Sequence, residues 1–335
     1  MIVQARTPTR IDLSGGTLDL YPLYLFLEGG VTNNAAIDIY SDVTIETRQD
    51  AQIFIRSLDM KAELSAPSAK QLPVDQELAF VARVVRFYAP RTGVEVTTHN
   101  ATPYGSGLGG SSSLLIALSG ALDRLNRTQM DPKDFVDIGA NLEAQSIGIP
   151  TGKQDYLAAL YGGVNCFHFH VAGWHQEQLL GDEGKLRELE SHVVLSYTGR
   201  PHYSAQNNWR MLKRFMDDAG NSRESMHTIQ RTAEQMREAL LAFDLRRLGE
   251  LLDEEWQSRR LLARGVTTPR IDRIVAAAKQ AGALASKICG AGGGGCMITL
   301  VKPNRRAAVE AALTKAGAKV MPFAIARQGL TVKEV

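Results

Sequence analysis

Three segments of the chain bring together residue types suited to handling a phosphate group and a hydroxyl. Between Pro103 and Ser113 the sequence reads Pro-Tyr-Gly-Ser-Gly-Leu-Gly-Gly-Ser-Ser-Ser and runs directly into Leu114-Leu115-Ile116-Ala117-Leu118. Glycines let main-chain N–H groups approach a ligand closely, serines add hydroxyl donors, and the unpaired amides of the first helical turn carry the positive end of the helix dipole. Such a loop is an anion cradle, and a phosphate is its natural occupant. A second stretch, Ser286 to Cys296, holds Gly290-Ala291-Gly292-Gly293-Gly294-Gly295 between two expected strands. A hairpin needs only about two to five loop residues, so this much bare backbone points to a ligand or another backbone coming close. The third, Thr7 to Asp19, sets Arg10, Asp12 and Asp19 around the glycine turn Gly15-Gly16.

Other chemistries fit less well. Gly105-Ser106-Gly107-Leu108-Gly109-Gly110 matches the three-glycine dinucleotide pattern, which would imply a nicotinamide oxidoreductase. That site requires an acidic residue closing a second strand roughly 20 residues later, and the corresponding region here reads as helix. No lysine follows the glycines, so a standard P-loop is excluded. Ser111 to Ser113 have no histidine nearby in sequence, and helix capping accounts for them better than a nucleophile does.

The elements that must position these segments follow from composition and periodicity. A chain of 335 residues predicts two domains. With 44% hydrophobic residues, 22% charged residues and a net charge of +2, it lacks the basic excess of a nucleic-acid binder. Cys166, Cys289 and Cys296 form no Cys-x-x-Cys pair, which fits a reduced, cytoplasmic setting. Neither the first residues nor any apolar run predicts export or a membrane span. Strands are expected at Ala35–Ile39, Val43–Thr47, Ile53–Ile55, Val94–Thr98, Gly163–His170, His192–Tyr197, Ala283–Cys289 and Met297–Val301, with another near Val320. Helices are expected at Glu77–Tyr88, Ser112–Leu125, Pro132–Ser146, within Ala205–Leu262, and at Ile271–Ala281 and Arg305–Lys315. Asp131 would cap the third of the strand-rich half's helices, with Pro132 in its first turn. The aperiodic stretch His175 to Glu190 suggests a boundary near Gly184, giving domains 1–184 and 185–335. The mixed element order argues an α+β fold in both halves.

Taken in order, the three segments resemble the three signature motifs of the GHMP kinases, the family of galactokinase, homoserine kinase, mevalonate kinase and phosphomevalonate kinase. The resemblance implies a two-domain kinase fold, with an N-terminal part like ribosomal protein S5 domain 2 and a ferredoxin-like C-terminal α/β sandwich. It implies ATP as donor, held by Pro103, Gly105, Ser106, Gly107, Leu108, Gly109, Gly110, Ser111 and Ser112, with Gly292 and Gly293 from the third motif. Magnesium would bind Ser111 and Glu143, an adequate donor set for an ion that prefers few protein oxygens plus phosphates. Asp155, in Gly152-Lys153-Gln154-Asp155, matches the catalytic aspartate, and Arg10 its cationic partner. Asp19, Gly16, Thr17 and Gly152 fall where sugar kinases of the family hold acceptor hydroxyls. Arg200 and His202 are candidates for a phosphate at the acceptor's far end. Gly110 departs from the serine or threonine of many members, and Gly16-Thr17 replaces the Glu-His of galactokinases. Arg-Ile-Asp-Leu-Ser-Gly-Gly-Thr with Gly-Lys-Gln-Asp is instead similar to heptose 7-phosphate kinases and fucokinases. The resemblance therefore implies phosphorylation of the anomeric hydroxyl of a sugar or sugar phosphate, with a heptose 7-phosphate leading and mevalonate an alternative; a non-catalytic sugar or nucleotide sensor is the reading from another class. A homodimer is compatible with these features.

Three further features read as structural. His168 and His170 share one strand face but show no third metal ligand. Trp209 and Trp256 sit in amphipathic helices and are expected in the core.

Overall fold

The computed structural model describes residues 1–201 and 204–335. Its first sheet begins with a long antiparallel pair, β1 (Ile2–Ser14) and β2 (Gly30–Thr47), linked through the short helix α1 (Leu23–Phe26). The hairpin β3 (Ile53–Ser57) and β4 (Ala62–Ala66) leads to α2 (Ala79–Tyr88) and β5 (Val94–Asn100), which lies parallel to β3 and antiparallel to β2. Helices α3 (Gly110–Asn126), α4 (Pro132–Ile147) and α5 (Gln154–Tyr161) follow, then a hairpin of β6 (Val164–His170) and β7 (Gly173–Leu180) on the other half of β2. Helix α6 (Glu183–His192) runs into β8 (Val193–Tyr197), the start of a second sheet. Four helices come next: α7 (Ser204–Met216), α8 (Ser222–Ala242), α9 (Leu245–Leu262) and α10 (Pro269–Gln280). The chain closes with β9 (Ala285–Ile288), β10 (Cys296–Leu300), α11 (Arg306–Lys315), β11 (Lys319–Met321) and β12 (Thr331–Glu334). Strands β11, β8, β10 and β9 form the antiparallel second sheet, whereas β12 returns to pair with β1. The result is a two-domain, mixed α+β fold, as the element order implied. Among the described residues no helix is long and apolar enough to cross a membrane.

Local chemistry explains the elements that matter most. Helix α3 is buried from Ser112 to Leu122 except at Leu114, so it forms the centre of the first layer and packs on β1 and β2. Asp131 caps α4 as expected, accepting from the Lys133 amide at 2.8 Å, with Pro132 in the first turn. Helices α8 and α9 pack on each other, and Met226, Ile229, Met236 and Leu240 of α8 and Leu251 and Trp256 of α9 are all buried.

Two expectations are corrected. The stretch from His175 to Glu190, read as loose, is β7 and α6. Its period was hidden because β7 carries polar residues on both faces and α6 buries only Leu186, Leu189 and the terminal His192. Trp256 is fully buried as expected, but Trp209 is 46% exposed, lying on the solvent side of α7.

Candidate active site

A cleft of about 880 Å³ opens where α3 begins, and the loop before that helix forms one wall. Pro103, Gly105, Ser106, Gly107, Gly109, Gly110, Ser111 and Ser112 all line it. Gly109 is the N-cap of α3, at φ 76°, and a Cβ there would stand 2.9 Å from Asp155 Cγ. Glycine is what lets this loop lie directly on the carboxylate. At Gly110 a Cβ would meet Thr102 Oγ1 at 2.2 Å and Asn100 Nδ2 at 2.8 Å, so a serine or threonine there would require both side chains to shift. Leu108 faces the core, and its carbonyl accepts from the Arg10 amide at 3.1 Å.

The second glycine-rich stretch, between β9 and β10, packs on this loop backbone to backbone. The Cys296 amide donates to the Ser106 carbonyl at 2.6 Å, and a Cβ at Gly295 would lie 2.5 Å from the same oxygen. Gly290 and Ala291 reach the cleft wall. Gly292 and Gly293 are not in that wall: they turn onto Val266, whose carbonyl accepts from the Gly293 amide at 2.7 Å.

At the cleft floor Arg10 of β1 grips Asp155 in the first turn of α5, with Nη2 at 2.6 Å and Nε at 2.7 Å from Oδ1. Arg10 Nη1 also donates to the Gly107 carbonyl at 2.6 Å, tying the pair to the phosphate-type loop. The Arg10 side chain is 4% exposed, while 24% of Asp155 remains open to the cleft. Burial pushes the Asp155 carboxyl above the usual range, and Arg10 opposes that rise without cancelling it. Burial works against the Arg10 charge, but Asp155 and Asp12 outweigh it and raise its pKa.

Glu143 of α4 comes to the start of α3. Ser111 Oγ donates to its Oε1 at 2.7 Å and Ser112 Oγ to its Oε2 at 2.9 Å, with Tyr156 hydroxyl also on Oε2. Burial raises the Glu143 carboxyl, while these three hydroxyls pull it back.

The opposite end of the cleft is built from the loop after β1. Gly16, Thr17 and Asp19 line it together with Gly152 and Gln154. Asp19 accepts from the Thr17 amide at 3.1 Å and the Gln154 amide at 2.9 Å. Burial raises its pKa to about 6, with the Asp155 and Asp12 charges adding to the effect. A Cβ at Gly152 would fall 2.1 Å from Asp19 Oδ2, so the second loop must be bare there. Thr17 has φ 83°, a left-handed conformation that a β-branched residue adopts only at a cost of about 1–3 kcal/mol.

Beneath this loop lies a network of four fully buried charges. Lys287 Nζ of β9 sits 2.8 Å from Asp12 Oδ2 and 3.3 Å from Glu255 Oε1 of α9. Arg259, one turn along α9, contacts the same Glu255 oxygen through Nη2 at 2.6 Å. Its guanidinium also donates to Thr17 Oγ1 at 3.1 Å and to the Gly16 carbonyl. Burial would raise Asp12, but Lys287, Arg259 and Arg10 together hold its carboxyl below the usual range.

Other predicted positions lie away from the cleft. Arg200 is exposed and outside the lining, with its carbonyl accepting from the Gly295 amide at 2.9 Å. His202 lies outside the described residues. On the β6–β7 hairpin His168 Nε2 stands 3.3 Å from both Cys166 Sγ and Glu177 Oε2, a grouping the sequence did not reveal because Glu177 is on the partner strand. Arg237 takes both Glu177 oxygens, at 2.5 and 2.7 Å, so the carboxylate is already neutralised as an ion pair. Sequence reasoning also missed the cleft's far wall, which includes Met60, Val74, Phe80 and Leu114, and missed Gln154, Glu255, Arg259 and Lys287. The apolar wall residues carry no chemical signature. Lys287 two residues before Cys289 in the second glycine-rich segment was the one legible hint of the buried network.

Comparison with known proteins agrees with this geometry. Residues 78–163 match the family described as GHMP kinases N terminal domain, and residues 236–319 match GHMP kinases C terminal. The chain is 28% identical to a D-glycero-alpha-D-manno-heptose 7-phosphate kinase of Campylobacter jejuni, covering 98% of each. It is 30% identical to a mevalonate kinase of Thermococcus gammatolerans over 72% of this chain and 70% of that one. A crystal structure of a D-glycero-D-manno-heptose 1-phosphate kinase from Bacteroides thetaiotaomicron superposes with a TM-score of 0.81 at 27% identity, covering 99% of both chains. Two matched family regions, a full-length set of relatives and a cleft that gathers all three glycine-bearing motifs converge on one assignment: the chain belongs to the GHMP kinases, ATP-dependent phosphotransferases with alcohol acceptors.

Proposed function

We propose that this kinase transfers the γ-phosphoryl group of ATP to the anomeric hydroxyl of a sugar phosphate, with a heptose 7-phosphate as the leading acceptor. The observation that carries the reading is the Arg10–Asp155 pair, placed between the phosphate-type loop at Gly107 and Gly109 and the loop bearing Asp19. Phosphoryl transfer depends chiefly on positioning and on neutralising charge spread over the transferring group. Asp155 accepts or orients the proton of the attacking hydroxyl, and Arg10 holds its carboxylate while lending positive charge to the reacting end. Asp19, the Gly152 backbone and Thr17 receive the acceptor's other hydroxyls, and a buried carboxylate there discriminates against analogues lacking one. The triphosphate lies along residues 103–112, and the apolar wall of Met60, Val74 and Phe80 receives the nucleoside. We place the division of the chain into a nucleotide unit and a second unit at α6 (Glu183–His192), between β7 of the first sheet and β8 of the second, with β12 returning to the first sheet.

Glu143 with Ser111 fits a magnesium ion: one carboxylate and one hydroxyl, all oxygen, at the cleft wall where the phosphates would run. Bound there, magnesium would supply neutralisation of phosphate charge. Ser112 and Tyr156 keep the carboxylate aimed from its other oxygen.

A panel of sugars and sugar phosphates assayed for ADP release, with mevalonate and homoserine as controls, tests the acceptor. Turnover of heptose 7-phosphate well above the unphosphorylated sugars is expected. Activity on mevalonate alone would overturn the sugar reading.

A further inference from the structure

We propose that Arg259 is a positioning residue for the acceptor, acting through Thr17 and Gly16 to hold the loop that presents Asp19. The inference rests on the acceptor reading above. Its starting point is the left-handed Thr17 at φ 83°. A threonine strained this way persists only where its surroundings over-determine it, and such residues cluster at functional sites. Three contacts fix this one: its amide on Asp19 Oδ1 at 3.1 Å, its hydroxyl on Arg259 Nη1 at 3.1 Å, and the neighbouring Gly16 carbonyl on Arg259 Nη2. The amide contact makes Thr17 part of the carboxylate's own support, so its backbone angle helps to set where Asp19 points.

Arg259 can do this because it is held in turn. Glu255 Oε1 accepts from its Nε at 3.0 Å and its Nη2 at 2.6 Å, and Lys287 joins Glu255 to Asp12 of β1. All four side chains are completely buried, with two positive and two negative charges. A buried ion network is a weak source of stability, since well-packed apolar residues often do as well. What apolar residues could not supply is a planar fork that donates to a carbonyl and a hydroxyl one residue apart. The network therefore ties α9 and β9 to the acceptor loop of β1.

The test compares Arg259→Lys with the unsubstituted enzyme, measuring KM for heptose 7-phosphate and for ATP beside the melting temperature. Lysine keeps the charge and loses the fork. The acceptor KM is expected to rise tenfold or more while the ATP KM stays within twofold. Adding Thr17→Gly supplies a residue that adopts positive φ freely, so Arg259→Lys should matter at least threefold less in that background. Equal rises in both KM values, or the same effect of Arg259→Lys in both backgrounds, would overturn the proposal. Should Arg259→Lys fail to fold, Glu255→Gln removes the charge that orients the guanidinium and must show the same split. If the unsubstituted enzyme ignores heptose 7-phosphate but phosphorylates another alcohol from the panel, the acceptor reading falls, and the same KM split with that alcohol still decides the role of Arg259.

Discussion

The two ends of the cleft recognise ligands by opposite means. At the donor end a single continuous segment, residues 103–112, offers bare backbone, hydroxyls and the start of α3. At the acceptor end Gly16, Thr17 and Asp19 follow β1 while Gly152 and Gln154 come from the chain entering α5, and Thr17 is supported by Arg259 of α9, 242 residues further along the chain. Backbone recognition suits a triphosphate common to every member of the family. Side-chain recognition over an adjustable frame suits an acceptor that differs from member to member. The carboxylates follow the same division: Asp155 is paired with Arg10, whereas Asp19 rests on two backbone amides and has no ion pair among the described residues.

The largest expected effect comes from the residue standing between the two ends. Asp155→Asn keeps the shape and removes both the proton acceptor and the partner of a buried guanidinium. Turnover should fall by roughly 10²–10⁴, with the ATP KM nearly unchanged in steady-state kinetics. A rate within a few-fold of the unsubstituted enzyme would remove Asp155 from the chemistry and leave the two ends without a shared centre.

Two alanines then separate the ends. Gly152→Ala puts a methyl 2.1 Å from Asp19 Oδ2, so the acceptor KM should rise by about tenfold or more while the ATP KM holds. Gly109→Ala forces a side chain onto φ 76° and against Asp155, so kcat and the ATP KM should both suffer. If the two variants gave the same pattern of constants, the division of the cleft would be wrong.

This contrast also decides what a reader of the sequence can see. The donor loop and the α3 start were legible because their glycines and serines are contiguous in the chain, whereas Glu143 and Asp155 stood out only through the resemblance to the family's motifs. Strand β1 was not recognised as a strand: it is buried on both faces from Thr7 to Ser14 and contains Pro8, so the alternation that betrays a half-exposed strand is absent. Gly292 and Gly293 read as ligand-facing glycines, yet one glycine-rich loop needs its bare backbone for two neighbours, the phosphate-type loop and Val266. Arg259 could not have been found, because one of four arginines in a charged amphipathic helix looks solvent-facing until the fold places β1 beside it.

The smallest effect is the most specific to the acceptor end. With its pKa raised to about 6, Asp19 should be ionised at pH 7.5 and mostly protonated at pH 5.5, costing about fourfold in kcat/KM for the acceptor through KM. Asp155 is also raised, but its protonation should appear in kcat, so the two titrations are separable. Linkage gives an independent sign. A carboxyl whose folded pKa lies above its unfolded value binds protons more readily in the native state, so it lowers stability as pH rises through that window, by up to roughly 3 kcal/mol for Asp19. Asp19→Asn should therefore raise the melting temperature at pH 7.5 and have little effect near pH 4, and should weaken acceptor binding at pH 7.5 far more than near pH 4, where the unsubstituted carboxyl is already protonated. A variant that destabilised the protein at pH 7.5 would mean that Asp19 is structurally paired after all, and the two ends of the cleft would then differ in sequence origin but not in electrostatic design.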